Sequence, residues 1–308
     1  MKAVRVHRFG PPEVMSLEDV PKPEPRRGEV VVQIEAAGVG LWDALIRSGK
    51  SALPQPLPLI LGSDISGIVD AIGPGVEQLA IGDEVFGVTN ERFTGAYAEY
   101  AIAKAAMLAR KPTSLNHTHA ASVPVVAVTA WQIVFELAQL SPGQSVLVHG
   151  GAGNVGAYAV QLAKQAGAVV IATASAKDIY YVRGLGADGV IDYRSNRFEE
   201  RVKEIDVVLD TVGGETLDRS YGVLKRGGIV VSSAAQPSKE KAERYGARAL
   251  FFLVEVTTER LQNIAELIDA TELKTEVGEV LWLEEARKGH EMLEGAPHRR
   301  GKIVIKIG

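Results

Sequence analysis

Two kinds of hydrophobic patterning divide the chain near residue 120. Before that point, short apolar runs alternate with polar positions and are repeatedly broken by glycine or proline. That punctuation predicts short strands. Residues 29–36, 66–73, 83–88 and 95–102 read as β segments, and the prolines of residues 21–28 forbid regular pairing in the loop before the first of them. A small barrel or a partly open sheet is expected.

Beyond residue 120 the apolar runs lengthen and alternate with helical patterns. Helices are expected over 129–140, 157–166, 177–185 and 257–269, and strands at 146–148, 169–174, 189–192, 205–210 and 228–232. The strand 169–174 is apolar on both faces, as a buried parallel strand requires. Such alternation predicts a doubly wound parallel sheet, with ligands at the carboxyl ends of its strands, here Gly150, Thr173, Asp210 and Ser232. The β texture returns at the end of the chain, in 301–307. The expected division is therefore residues 1–121 with 271–308 as a β-rich domain, and 122–270 as a dinucleotide-binding domain.

The strand at 146–148 ends in Gly151-Ala152-Gly153-Asn154-Val155-Gly156, which fits G-x-G-x-x-G between a strand and a helix. Gly151 serves the tight turn, Gly153 lets a pyrophosphate approach the backbone, and Gly156 lets the helix pack closely on the strand. Amides of Asn154 and Val155 then lie at the positive end of the helix dipole, facing the phosphates. At the end of the second strand, a carboxylate would select NAD by binding the ribose 2′-hydroxyl. This chain has Thr173-Ala174-Ser175-Ala176-Lys177, a small neutral run with a hydroxyl and an ammonium, which suits the 2′-phosphate of NADPH. Asp178 is a nearby opposing charge, and Arg194 is a second candidate cation. In the plainer reading, Ser175 caps a helix and Lys177 is a solvated lysine.

Composition narrows the functional classes. A length of 308 residues suits about two domains, and 46% hydrophobic with 23% charged residues is ordinary for a globular protein. The net charge of -4 gives no basic footprint for nucleic acid. No apolar run reaches membrane-spanning length and the N-terminus alternates like a strand, so a cytoplasmic protein is expected. The absence of cysteine removes disulfides, thiolate nucleophiles and cysteine-ligated zinc together. His117 and His119 lack an evident third ligand, and His149 reads as a hydrogen-bonding turn residue.

Further segments carry a family likeness across nearly the whole chain. They are Ala36-Ala37-Gly38-Val39-Gly40 with Asp43 and Arg47-Ser48-Gly49, Gly62-Ser63-Asp64 with Gly67, Gly73-Pro74-Gly75-Val76, and residues 81–87. Gly95-Ala96-Tyr97-Ala98-Glu99, Thr129-Ala130-Trp131, the nucleotide turn, and Leu185-Gly186-Ala187-Asp188 through Tyr193 complete the set. With them the chain resembles the medium-chain dehydrogenase/reductase superfamily, specifically its zinc-free quinone oxidoreductase branch. The resemblance implies a doubly wound (Rossmann) sheet plus a β-rich, barrel-like (GroES-like) catalytic domain. It also implies hydride transfer from NADPH to a quinone or similar acceptor, with a tyrosine at the position of Tyr193 on the 2′-phosphate and Thr129 near the carboxamide. Ser232 at a strand end and Phe252, in a region that passes near the nicotinamide, are the remaining cofactor candidates. Zinc members carry a histidine where Gly62-Ser63-Asp64 stands, and the connection from Gly87 to Gly95 is too short for their structural zinc lobe. Many zinc-free members carry Asn where this chain has Gly40, which leaves Leu41 and Trp42 as pocket candidates. Asp43 and Arg47 are expected to pair at i,i+4. The apolar run around 249–254 is expected to join a homodimer or to pass near the nicotinamide. An enone or enal reductase, or a non-catalytic NADPH-sensing protein, remain alternative functions.

Overall fold

A computed structural model of the protein describes residues 1–307. The chain forms two units, Met1–Val125 together with the chain from Glu255 onward, and Val126–Val254.

The first unit opens with β1 (Lys2–Val6), β2 (Met15–Asp19), β3 (Glu29–Val39), α1 (Leu41–Arg47), β4 (Leu59–Ile60), β5 (Asp64–Ile72), β6 (Glu84–Val88), β7 (Tyr100–Lys104) and β8 (Leu108–Arg110). Strand β3 is the spine of this unit, pairing antiparallel with both β5 and β7. Its Val30, Val32 and Ile34 meet Ile65 and Val85 in one apolar core. Residues 95–99, expected as strand, are irregular. Their amides bond outward instead, Ala96 N–H to Gly62 O at 3.0 Å and Tyr97 N–H to Leu61 O at 2.9 Å. Two short helical elements follow, α2 (His117–Ala120) and α3 (Pro124–Trp131). Helix α3 starts at a proline, which suits the first helical position, and continues into a π-type stretch over Gln132–Leu137. Thr129 is therefore inside the helix rather than at its start.

The second unit carries β9 (Ser145–His149), α4 (Asn154–Gln165), β10 (Val169–Ala174), α5 (Ile179–Gly184), β11 (Gly189–Asp192), β12 (Ile205–Asp210), α6 (Gly214–Ser220), β13 (Leu224–Ser232), α7 (Lys239–Arg244) and β14 (Arg248–Phe251). Its strands are all parallel, in the order β11-β10-β9-β12-β13-β14. Chain order reverses at β9, and a doubly wound sheet binds its ligand beside the carboxyl end of such a strand.

The chain then returns to the first unit with α8 (Thr258–Asp269), β15 (Val277–Trp282), α9 (Ala286–Leu293) and β16 (Lys302–Lys306). Pattern alone placed α8 with the nucleotide half, whereas its bonds hold it to the β-rich unit. Asp269 accepts from Thr113 N–H and hydroxyl, both at 3.0 Å, and from Ser114 N–H at 2.9 Å and hydroxyl at 2.6 Å. Burial opposes ionisation there, but these four donors hold the Asp269 carboxyl down at about 2. The closing strand β16 pairs with β3 and completes a seven-stranded sheet. The first unit is a β-rich GroES-like domain and the second a Rossmann-like one.

Candidate functional site

The nucleotide turn is built from the carboxyl end of β9. The tight turn that the sequence assigned to Gly151 is made by Gly150, whose φ is positive at 73°. Gly151 is needed for a different reason, because a Cβ there would lie 2.8 Å from Ala172 Cβ. At Gly156 a Cβ would lie 2.1 Å from Gly150 O, so only glycine lets α4 approach the strand. Gly153, exposed, is the N-cap of α4 and supplies no side-chain acceptor. The first-turn amides of Asn154, Val155 and Gly156 therefore meet no capping side chain, and the helix dipole adds its positive end to them. This cradle fits a pyrophosphate.

Buried groups brace the turn. His149 Nε2 is 3.0 Å from Ser220 Oγ, which itself donates to Thr216 O at 2.7 Å, so Nε2 carries the proton. His149 Nδ1 then accepts from Thr173 Oγ1 at 3.3 Å, and that oxygen receives Gly150 N–H at 3.1 Å. Burial pulls His149 down to about 4, against the opposing pull of Asp210. It is a neutral brace, as the sequence suggested.

The adenosine end of the second unit is less uniform. Lys177 and Tyr193 are exposed, and the Arg194 guanidinium lies 5.8 Å from the Tyr193 ring centroid. Ser175 is buried and donates its hydroxyl proton to Asp178 Oδ2 at 2.6 Å. It thus neither caps the following helix nor presents a donor outward. Ser232 is likewise occupied. Its hydroxyl donates to Asp210 Oδ2 at 2.7 Å and accepts the amides of Ala234 and Ala235 at 3.2 and 3.1 Å. Asp210 also receives Gly213 N–H at 2.9 Å, so one carboxylate shapes both loops after β12 and β13. That role was missed; an Asp ending an apolar strand before a Gly pair was its only sequence signal. Thr129 is buried in its helix, and Phe252 is half-buried just beyond β14.

In the first unit, β3 delivers Gly40 to the start of α1. Leu41 is 67% exposed and Trp42 is half-buried, its indole N–H donating to Ser63 Oγ at 3.0 Å. Beneath Trp42 lies a buried ion pair. Lys302 Nζ donates to Asp64 Oδ2 at 2.9 Å and sits 4.3 Å from the indole centroid, while Asp64 Oδ1 receives Val125 N–H at 3.0 Å. The expected Asp43–Arg47 pair does not form. Asp43 Oδ2 takes Gly40 N–H at 2.8 Å and the Tyr97 hydroxyl at 2.9 Å, and Oδ1 has no partner. Burial pushes this carboxyl up to about 7. Arg47 instead donates to Gly10 O at 3.1 Å, to His290 Nδ1 at 2.9 Å and to the Glu294 carboxylate. Burial first, and the Arg47 charge second, hold His290 down at about 3.

His117 and His119 have separate partners, Ser66 at 2.8 Å and Thr275 at 3.1 Å. Among the described residues no three His, Cys, Asp or Glu side chains gather as a metal site. A surface groove of about 450 Å³ on the first unit, rimmed by Pro21, Pro58, Arg92 and Tyr100, contains none of the nominated residues.

Comparison with known proteins decides the family. Residues 26–113 match the alcohol dehydrogenase GroES-like domain and residues 185–305 the zinc-binding dehydrogenase family. A quinone oxidoreductase from Pongo abelii is 30% identical over 324 residues, spanning 100% of this chain and 98% of its own. The chain belongs to the medium-chain dehydrogenase/reductase superfamily, in its quinone oxidoreductase branch. The quinone oxidoreductase of Coxiella burnetii is 34% identical with a TM-score of 0.93, covering 100% of this chain and 99% of that one. The Escherichia coli quinone oxidoreductase, solved in complex with NADPH, is 27% identical with a TM-score of 0.90, covering 99% and 100%. This medium-chain dehydrogenase/reductase is an oxidoreductase, and no described helix is long and apolar enough to cross a membrane.

Proposed function

We propose that the protein is an NADPH-dependent reductase that passes hydride to a quinone or a similar activated carbonyl acceptor without zinc. The observation that carries this reading is the uncapped start of α4 over a glycine turn at the reversal point of the parallel sheet. Amides of Asn154, Val155 and Gly156 would hold the pyrophosphate, and Lys177, Tyr193 and Arg194 would meet the 2′-phosphate. Thr129 and Phe252 are assigned to the nicotinamide end. Bound NADPH supplies the hydride.

The donor set supports a reaction without metal. Cysteine is absent from the sequence, and both oxygens of Asp64 are engaged by Lys302 and Val125. Residues near the acceptor therefore orient it and exclude water, with Leu41 and Trp42 as its apolar wall. We assign a homodimer joined through the edge strand β14, in which Leu250 is 37% exposed, and the segment just past it, in which Leu253 is 62% exposed. A cytoplasmic location fits the same chemistry.

The reading is tested by NADPH binding and by NADPH oxidation against a quinone panel and an enone panel. Oxidation with quinones supports it. Tight NADPH binding without turnover of either panel would replace it with a sensor, and turnover of enones alone with an enone reductase.

A further inference from the structure

Trp42 is held from two sides by segments far apart in the sequence. Its indole N–H donates to Ser63 Oγ at 3.0 Å, and its ring lies over Gly40, where a Cβ would stand 2.3 Å from Cη2. Both holding points lead to one fully buried side chain, Tyr97. The Tyr97 hydroxyl donates to Asp43 Oδ2 at 2.9 Å, and the same oxygen takes Gly40 N–H at 2.8 Å. Asp43 Oδ1 has no partner, so among the described residues the tyrosine is the carboxylate's one side-chain donor. The Tyr97 ring packs against Gly62, where a Cβ would lie 2.2 Å from both Cδ1 and Cε1. Backbone bonds fix that approach, Tyr97 N–H to Leu61 O at 2.9 Å and Ala96 N–H to Gly62 O at 3.0 Å. The contacts close a circuit. It runs from Trp42 to Asp43 along α1, across to Tyr97, on to Gly62 and its neighbour Ser63, and back to the indole.

We propose that Tyr97 is a positioning residue for acceptor turnover, its hydroxyl and ring together setting the indole of Trp42. This rests on the reading of Trp42 as part of the acceptor wall. The hydroxyl holds α1 through Asp43, and the ring holds the Ser63 segment through Gly62, so neither end of the Trp42–Ser63 bond shifts alone. Arg47, the other buried charge of α1, does not share this work, because it is turned to Gly10, His290 and Glu294. A wall displaced by about 1 Å costs up to about a hundredfold in rate, since the acceptor no longer meets the hydride in line.

The test reads Trp42 directly and then turnover. Of the three tryptophans, Trp131→Phe and Trp282→Phe leave Trp42 as the sole indole. In that background Tyr97→Phe, which keeps the ring on Gly62, should red-shift the emission of the folded protein and raise its quenching by acrylamide. In the otherwise unaltered enzyme it should lower kcat/KM for a para-quinone by about tenfold or more and leave NADPH affinity unchanged. Ser63→Ala opens the same circuit, so its loss and that of Tyr97→Phe should not add in the double variant. Asp43→Asn keeps an acceptor for both donors and should keep emission and turnover near wild type, whereas Asp43→Ala should match Tyr97→Phe. These variants read the same circuit if Tyr97→Phe does not fold. A lower melting temperature with unchanged emission and kcat/KM would make Tyr97 a packing residue and overturn the proposal. Shifted emission with unchanged kcat/KM would overturn it at the other step, by removing Trp42 from the acceptor wall. Wild type without quinone turnover would sink the reductase reading and any role in turnover with it, while the emission arm still decides whether Tyr97 sets Trp42.

Discussion

At the scale of residues, the polar groups around α1 behave as their burial dictates. Asp43 and Arg47 stand four apart on one helix, a spacing that suggests a surface ion pair. Both are buried, however, and each takes partners from elsewhere, Arg47 from His290, 243 positions away. Local spacing carries no trace of such a partner. The constraint on the glycines of the nucleotide turn is local and legible in sequence, whereas nothing in the spacing shows that the Ser175 and Ser232 hydroxyls donate to Asp178 and Asp210.

Three outcomes belong to this scale. Lys177→Ala should weaken NADPH binding by about tenfold to a hundredfold, the worth of one charge-assisted hydrogen bond, and leave NADH binding almost unchanged. Because that contact is equal in ground and transition states, KM should rise with little change in kcat. Titration calorimetry with both cofactors checks the first claim, and equal losses for both would remove Lys177 from the site. Lys302→Met should leave the Asp64 carboxylate buried without its cation and cost about 3–5 kcal/mol in chemical denaturation. Adding Asp64→Leu should restore most of that loss.

The third outcome concerns pH. His290 and His149 titrate near 6.5 in the unfolded chain but near 3 and 4 when folded. Between those values the unfolded state binds more protons, so their contribution is full above pH 6.5 and lost as pH falls. Each histidine adds a slope of at most about 1.4 kcal/mol per pH unit. Asp43, raised from 3.8 to about 7, has the opposite sign and loses its contribution as pH rises through that range. Unfolding free energy measured from pH 6.5 down to 4.5 should therefore fall less steeply in a His149→Gln, His290→Gln variant than in wild type. Identical slopes would mean that the two imidazoles are not buried neutral.

At the scale of elements, periodicity located the strands of the second unit because each is a continuous apolar run between small or polar residues. It gave less where an element's membership depends on distant bonds. Helix α8 follows the nucleotide strands in sequence, yet its terminal Asp269 is bound by Thr113 and Ser114 of the β-rich unit. Helix α9 lies in the closing part of the chain, where only β texture was expected. Strand β14 closes one edge of the parallel sheet and leaves Leu250 exposed, as is Leu253 just past its end. Such an edge is a template for pairing unless it is covered. Light scattering at micromolar concentration should give a dimer mass for wild type and a monomer mass for Leu250→Lys with Leu253→Lys. A monomeric wild type would contradict the proposed interface.

At the scale of the whole molecule, the proposed function draws on each unit separately. In that proposal the backbone amides at the start of α4 would cradle phosphate, and in the β-rich unit Trp42 lies above the Asp64–Lys302 pair. An ammonium paired with that carboxylate suits hydride transfer without a metal better than it suits a metal-bound alkoxide. The most direct measurement is single-turnover oxidation of NADPH by a para-quinone, using protein dialysed against a strong chelator and assayed with and without added zinc. Reduced-nicotinamide absorbance should be lost at the same rate in both samples, faster with NADPH than with NADH. No oxidation, or oxidation that disappears with chelation and returns with zinc, would contradict a zinc-independent NADPH reductase.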